Sequence, residues 1–178
     1  MIVQTRPTLN LHGQEVEPLQ PRSDPEPTQG AVASAADGNG RSRKATLIVH
    51  SGDLDRAYAA FIIANGAAAF GLQTTVFFTF WGLNLLRKGG LDKAPLSKMH
   101  LLGLGDAIIK GRMAKANVTP LSRLLADSQE LGVKLLACDL TLEVMGVSAD
   151  DLIPEVGGIC SVGGYLAEAQ DSQITLFI

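Results

Sequence analysis

From Ala57 to Leu86 the chain runs for 30 residues without a formal charge. A helix that crosses a bilayer needs about 20 apolar residues, so length alone would allow a membrane span. The interior of the run argues otherwise, because Asn65, Gly66, Gly71, Gln73, Thr74 and Thr75 interrupt it. Its composition also changes type midway. Ala57–Phe70 is alanine-rich and helix-favouring, whereas Thr74–Phe80 is β-branched and aromatic. Gly71 between them is a natural helix stop. The run therefore predicts a buried helix followed by a buried strand, and no membrane span.

The same alternation continues on both sides. Ala45–His50 is a short apolar, β-branched run that reads as a central parallel strand. Ser51, Gly52 and Asp53 supply turn and N-cap chemistry, and a helix is predicted from Leu54 to Phe70. Thr119 as N-cap and Pro120 at the first helical position predict a later helix ending at Leu131-Gly132. Val133–Cys138 reads as a strand and Leu140–Met145 as a short helix stopped by Gly146. Ser148–Asp151 has the form of a capping box. A strand over Val156–Val162, a helix over Gly164–Gln170 and a last strand over Gln173–Ile178 complete the series. Residues 89–117 are harder to read. Met99–Leu104 is strand-like or part of a lid, Asp106–Lys115 is helix-like, and the region as a whole reads as a lid or a docking surface. Strands alternating with helices give an α/β fold: a three-layer α/β/α sandwich with a mainly parallel sheet of about five strands.

Composition changes near Arg43. Residues 1–43 hold five of the eight prolines and no aromatic residue. Such a stretch buries too little apolar surface to offset its ordering entropy, so it is read as a disordered N-terminal tail. No basic start followed by a long apolar run marks it as a secretory signal. Residues 44–178 form the predicted domain, with 11 basic and 13 acidic residues. The whole chain carries 15 Lys and Arg against 18 Asp and Glu. That balance lacks the basic excess of a duplex-binding protein, so no nucleic-acid partner is expected. Two cysteines without a CxxC or Cys/His cluster make neither a disulfide framework nor a zinc site. No metal or cofactor is called for.

Sites in parallel sheets lie beyond the carboxyl ends of the strands. Those ends carry His50-Ser51-Gly52, Phe80-Trp81-Gly82 and Cys138-Asp139, segments distant in sequence that this topology lets converge. Cys138 ends an apolar strand just before a helix, where the helix dipole favours thiolate, the form that attacks sulfane sulfur or a disulfide. Asp139 opposes this, since a neighbouring negative charge raises a thiol pKa. Cys160, flanked by glycines, reads either as a small core residue or as a second, resolving thiol beside Cys138. His50 reads as a proton relay or as a strand-end histidine held by hydrogen bonds. Ser51 and Gly52 could hold an anion on backbone amides or simply make a turn. Leu102–Asp106 contains GxG but not GxGxxG and is treated as a turn. Between Arg87 and Lys115 seven Lys or Arg stand against two Asp, either a solvated face or a docking surface for an acidic partner.

Taken together, Ser51–Arg56, Ala60–Ala69, Phe78–Asn84, Lys134–Cys138, Glu143–Gly146, Gly163–Leu166 and Thr175–Ile178 resemble the DsrE/DsrF-like family, in its DsrE-like sulfurtransferase or sulfur-carrier branch. The resemblance covers residues 44–178. It implies a cytoplasmic sulfur-relay role in which Cys138 holds a persulfide, accepts sulfane sulfur from a rhodanese or a TusA-like carrier, and passes it on. It also implies assembly into homo- or hetero-oligomers. Nothing in the resemblance assigns a role to Cys160. Two other readings stay open: a non-catalytic α/β module that binds a nucleotide or coenzyme at the Ser51/Trp81 edge, and a thiol-disulfide redox protein using Cys138 and Cys160.

Overall fold

The computed structural model describes residues 43–97 and 115–178, together with residues 8–9, 15–16, 109 and 111–113. The readings of Met99–Leu104 and of the GxG segment lie outside the described residues, as does most of 98–114. The chain divides into two compact units, Met1–Ala31 and Val32–Ile178. In the first, β1 (Thr8–Leu9) pairs antiparallel with β2 (Glu15–Val16).

The second unit is an α/β fold on a five-stranded sheet in which every pairing is parallel. Its strands are β3 (Lys44–Val49), β4 (Gln73–Phe78), β5 (Lys134–Cys138), β6 (Gly158–Cys160) and β7 (Ile174–Phe177), in the spatial order β6-β5-β4-β3-β7. The chain therefore steps outward from β3 to β6 and then crosses back to place β7 on the far side of β3. Right-handed crossovers in one direction put their helices on one face; a crossover in the opposite direction puts its helix on the other.

The packing follows that rule. Helices α1 (Leu54–Ala69) and α3 (Leu121–Glu130) lie together on the first face. Leu47, Val49, Val76, Phe78, Leu135 and Ala137 of the strands pack there against Ala57, Phe61, Ala64 and Leu125. The second face is smaller: Phe77, Leu136 and Cys138 pack against Tyr165 of α5 (Val162–Ala169). Period-two alternation along β5 thus sends Leu135 and Ala137 one way and Leu136 and Cys138 the other. Of the described helices, none is long and apolar enough to cross a membrane. The polar breaks in the uncharged run are used within the fold. Asn65 donates to the Leu124 carbonyl at 2.9 Å and accepts from the fully buried Ser128 hydroxyl at 2.6 Å, tying α1 to α3.

Several boundaries differ from expectation. The second strand stops at Phe78, and Phe80–Leu86 forms a 3-10 helix. Phe80 has a φ of 45° there, and its N–H donates to the Thr141 hydroxyl at 3.1 Å. That hydrogen bond lets the chain turn off the sheet at a residue without glycine's freedom. A four-residue helix α2 (Gly90–Lys93) follows. Pro120 does not open α3 but caps it: its ψ of 149° is extended, and its carbonyl accepts from Arg123 and Leu124. Short α4 (Asp139–Met145) ends at left-handed Gly146, and Ser148 with Asp151 makes the expected capping box. The strand expected over Val156–Val162 is confined to Gly158–Cys160, because Val162 already begins α5 behind the Ser161 cap.

Candidate functional site

The carboxyl edge of the sheet carries two separate groups of residues. The first is a pair of thiols. Cys138 is the last residue of β5 and the N-cap of α4, and it is only 2% exposed. Cys160 ends β6, and the two are register partners across the parallel ladder. Neighbouring strands lie about 4.8 Å apart, and register partners point to the same face, so the thiols are neighbours. Both are free cysteines. Tyr165 is stacked on Phe77 with ring centroids 4.9 Å apart, and it closes this cluster from the α5 side. Its buried hydroxyl has no hydrogen-bond partner among the described residues.

The Cys160 thiol is pushed up to about 11, first by burial, then by the Asp139 carboxylate and by Cys138. Asp139, which the sequence set against Cys138, here raises the Cys160 thiol. The Asp139 carboxylate itself is exposed and accepts from the Leu140 N–H at 2.6 Å. The Thr141 hydroxyl lies 3.1 Å from that of Thr79, which couples α4 to the end of β4.

The second group surrounds a cavity of about 730 Å³ beyond the carboxyl end of β3. His50, Ser51, Gly52 and Trp81 line it, as the strand-end argument anticipated, but Cys138 and Asp139 do not. Two of the three expected segments thus converge on the cavity, and the third sits with Cys160. Gly82 is not part of the lining: it is buried against the Val49 carbonyl, and its N–H donates to the His50 carbonyl at 2.8 Å. A side chain at Gly52 would meet the Trp81 carbonyl at 2.6 Å. These two glycines let the 3-10 segment lie directly on the end of β3.

The amides that follow Ser51 and Gly52 are engaged. Asp53 N–H donates to the Ser51 hydroxyl, and Leu54 N–H donates to the Pro95 carbonyl at 2.6 Å. The His50 ring lies between Phe80 and Phe177, at centroid distances of 5.3 and 5.7 Å. Sequence reasoning missed that Arg56 joins Arg87, Lys88 and Lys93 in the cavity wall. The basic run signalled the last three, but nothing in the sequence places Arg56, in the first turn of α1, at the same cavity. Tyr165 carries no local sequence signal of its place over the thiols; only the α5 packing puts it there. Among the described residues, no group of three His, Cys, Asp or Glu side chains is placed to hold a metal ion.

A parallel α/β sheet hosts many unrelated functions, so the architecture by itself defines only a fold class. The sequence comparisons narrow it: the chain belongs to the DsrE/DsrF/DrsH-like family, whose profile matches residues 41–94 and 88–177. It is 39% identical to the uncharacterized protein YrkE of Bacillus subtilis over 158 residues, spanning 78% of this chain and 98% of that one. It is 31% identical to the sulfur carrier protein DsrE2 of Allochromatium vinosum over 157 residues, spanning 76% of this chain and 98% of that one. Among solved structures, the ychN protein of E. coli superimposes with a TM-score of 0.49 at 13% identity, covering 76% of this chain and 99% of that one.

Proposed function

We propose that this chain is a sulfur carrier that relays sulfane sulfur as a persulfide on Cys138. The observation that carries the reading is the position of Cys138: it ends an inner strand, stands at the N-cap position of the helix that follows, and is enclosed by Phe77, Leu136 and Tyr165. Membership of a family that includes a named sulfur carrier supports it. In the loading step the Cys138 thiolate attacks the outer sulfur of a donor persulfide. The donor S–S bond breaks, the donor leaves as a thiolate, and the outer sulfur stays on Cys138 with no net oxidation. Enclosure slows reaction of the bound sulfur with small thiols, so delivery requires an acceptor that opens the α5 side. A rhodanese or a TusA-like carrier would supply or receive the sulfur in the cytoplasm.

A homo-oligomer is part of the same reading. Ile62 and Phe70 of the α1 segment are 55% and 79% exposed, and Phe177 at the edge strand is 69% exposed. Exposed apolar side chains of this size favour a protein partner, and light scattering at micromolar concentration would test for one. We assign the N-terminal residues 1–43 the role of a solubilising leader.

A second reading is favoured by the register of Cys138 with Cys160. Attack of Cys160 on the inner sulfur of the persulfide would expel hydrosulfide and leave a Cys138–Cys160 disulfide, which an external dithiol must then reduce. Loading the reduced protein from a rhodanese and thiosulfate, then mapping the modified cysteine, separates the two. A persulfide that survives on Cys138 and passes to a carrier supports relay. Prompt formation of the disulfide supports discharge by Cys160. A protein that takes up no sulfur at either cysteine refutes both.

A further inference from the structure

The β3 cavity is used by none of the chemistry above, and its wall has a definite character. Among the described residues, Arg56, Arg87, Lys88 and Lys93 line it with Asp53 as the one carboxylate, four positive charges less one negative, an excess of three. The chain as a whole is net negative by three, so this concentration of positive charge is local. Asp53 is already committed: it accepts from the Ser51 hydroxyl at 2.8 Å and pairs with Arg56 at a long 3.8 Å. Arg87, Lys88 and Lys93 make no carboxylate ion pair within 4.0 Å among the described residues, which leaves their charge to the cavity.

The frame that carries these cations is fixed. Arg87 forms a β-bridge with Leu152, Lys88 N–H donates to the Asp151 carbonyl at 2.9 Å, and Lys88 Nζ donates to the Asp150 carbonyl at 2.6 Å. Gly90, hard against the Asn84 carbonyl, holds α2 and Lys93 close to the same segment. Trp81, the single tryptophan of the chain, is 61% exposed and part of the same wall. A flat apolar face beside several cations is suited to a ring joined to phosphates. The volume of about 730 Å³ falls in the range of small-molecule and coenzyme sites. The place is right for this topology as well, beyond the carboxyl end of the strand beside which the winding reverses.

We infer that this cavity binds a ligand in which a flat ring is joined to two or more phosphates, such as a nucleoside diphosphate, free or as the nucleotide portion of coenzyme A. The cations hold the phosphates and Trp81 stacks on the ring. The α1 amides contribute little, because Pro95 and Ser51 already occupy the first of them. The inference is independent of the persulfide, since neither cysteine lines the cavity.

The test uses the fluorescence of Trp81, which no other tryptophan obscures, with calorimetry alongside. The probes are ADP, coenzyme A, adenosine and tripolyphosphate. Saturable quenching by ADP or coenzyme A is expected, with adenosine weaker by roughly tenfold or more and tripolyphosphate competing. Preference for ADP or for coenzyme A identifies the source of the shared group. Arg87→Ala combined with Lys93→Ala weakens binding by about tenfold or more, and raised salt does likewise. Trp81→Leu, followed by calorimetry, weakens ADP but not tripolyphosphate. Cys138→Ser leaves all four affinities unchanged. Absence of saturable binding by ADP, coenzyme A and tripolyphosphate into the millimolar range overturns the inference, as does binding that the double charge variant leaves intact.

Discussion

Cys138 and Cys160 stand in register at the carboxyl ends of adjacent parallel strands, yet they occupy different surroundings. Cys138 is enclosed by aromatic and aliphatic side chains, whereas Cys160 is partly open and lies near Asp139. Burial and that carboxylate push Cys160 from 9.0 up to about 11, so at neutral pH it is a protonated thiol. Its alkylation by iodoacetamide in Cys138→Ala is therefore expected to keep rising about tenfold per pH unit beyond the ordinary thiol range. The linked stability effect has a definite sign. Below pH 9.0 the folded and unfolded states both hold the proton; between 9.0 and about 11 only the unfolded state releases it, so stability falls as pH rises through that window. A rate that levels off near 9.0 would contradict the assignment.

The close approach of the 3-10 segment to β3 predicts opposite results for two glycine-to-alanine changes. Gly82→Ala drives a methyl group into the Val49 carbonyl and is expected to cost about 2–3 kcal/mol. Gly66→Ala, at a mid-helix position with open space around it, is expected to stabilise by about 0.5–1 kcal/mol. Urea denaturation of both variants checks the pair. Equal effects would mean that the segment does not rest on β3 as described.

The Asn65–Ser128 contact holds α1 to α3 through buried polar atoms. Ser128→Ala leaves the Asn65 side-chain oxygen without its donor and is expected to destabilise by about 1–2 kcal/mol. A double-mutant cycle with Asn65→Ala should return a coupling of about 1 kcal/mol. Strict additivity would show that the contact contributes nothing in solution.

Asp55 is the acid-sensitive point at the start of α1. Burial works against its charge, but the Ser97 hydroxyl at 2.7 Å and the Ser97 amide at 3.0 Å outweigh it and hold the carboxyl below 3.8. A lowered folded-state value means the contribution is present above the ordinary carboxylate value and is lost as pH falls through the folded one. Ser97→Ala should raise the Asp55 titration midpoint in an NMR pH series. An unmoved midpoint would contradict the pairing.

The architecture was readable because its signals are local and redundant. The β-branched runs, the Gly71 stop between α1 and β4, the Gly146 stop and the Ser148 capping box each point to the element that forms. Pro120 misled because proline's φ suits both a cap and a first helical residue, and only ψ separates them. At the sheet edge, strand ends were legible, and His50, Ser51, Gly52 and Trp81 line one cavity. Their separation from Cys138 was not legible, because it depends on strand order: β4 lies between β3 and β5, and the Phe80 turn fills the space above it. The pairing of Cys138 with Cys160 is likewise a matter of register between strands, which no spacing of 22 positions encodes. Gly82 was expected at the site only as part of a strand-end segment, and its close backbone contact with Val49 is a tertiary feature that no local signal shows.

The persulfide claim is tested most directly by intact mass of the reduced protein after loading from a rhodanese and thiosulfate, followed by addition of a TusA-like acceptor. The account predicts a gain of about 32 Da, the mass of one sulfur, on the wild-type protein and on Cys160→Ala. That gain should be absent in Cys138→Ala and should move to the acceptor. A sulfur adduct that persists in Cys138→Ala, or no adduct on the wild-type protein, would contradict it.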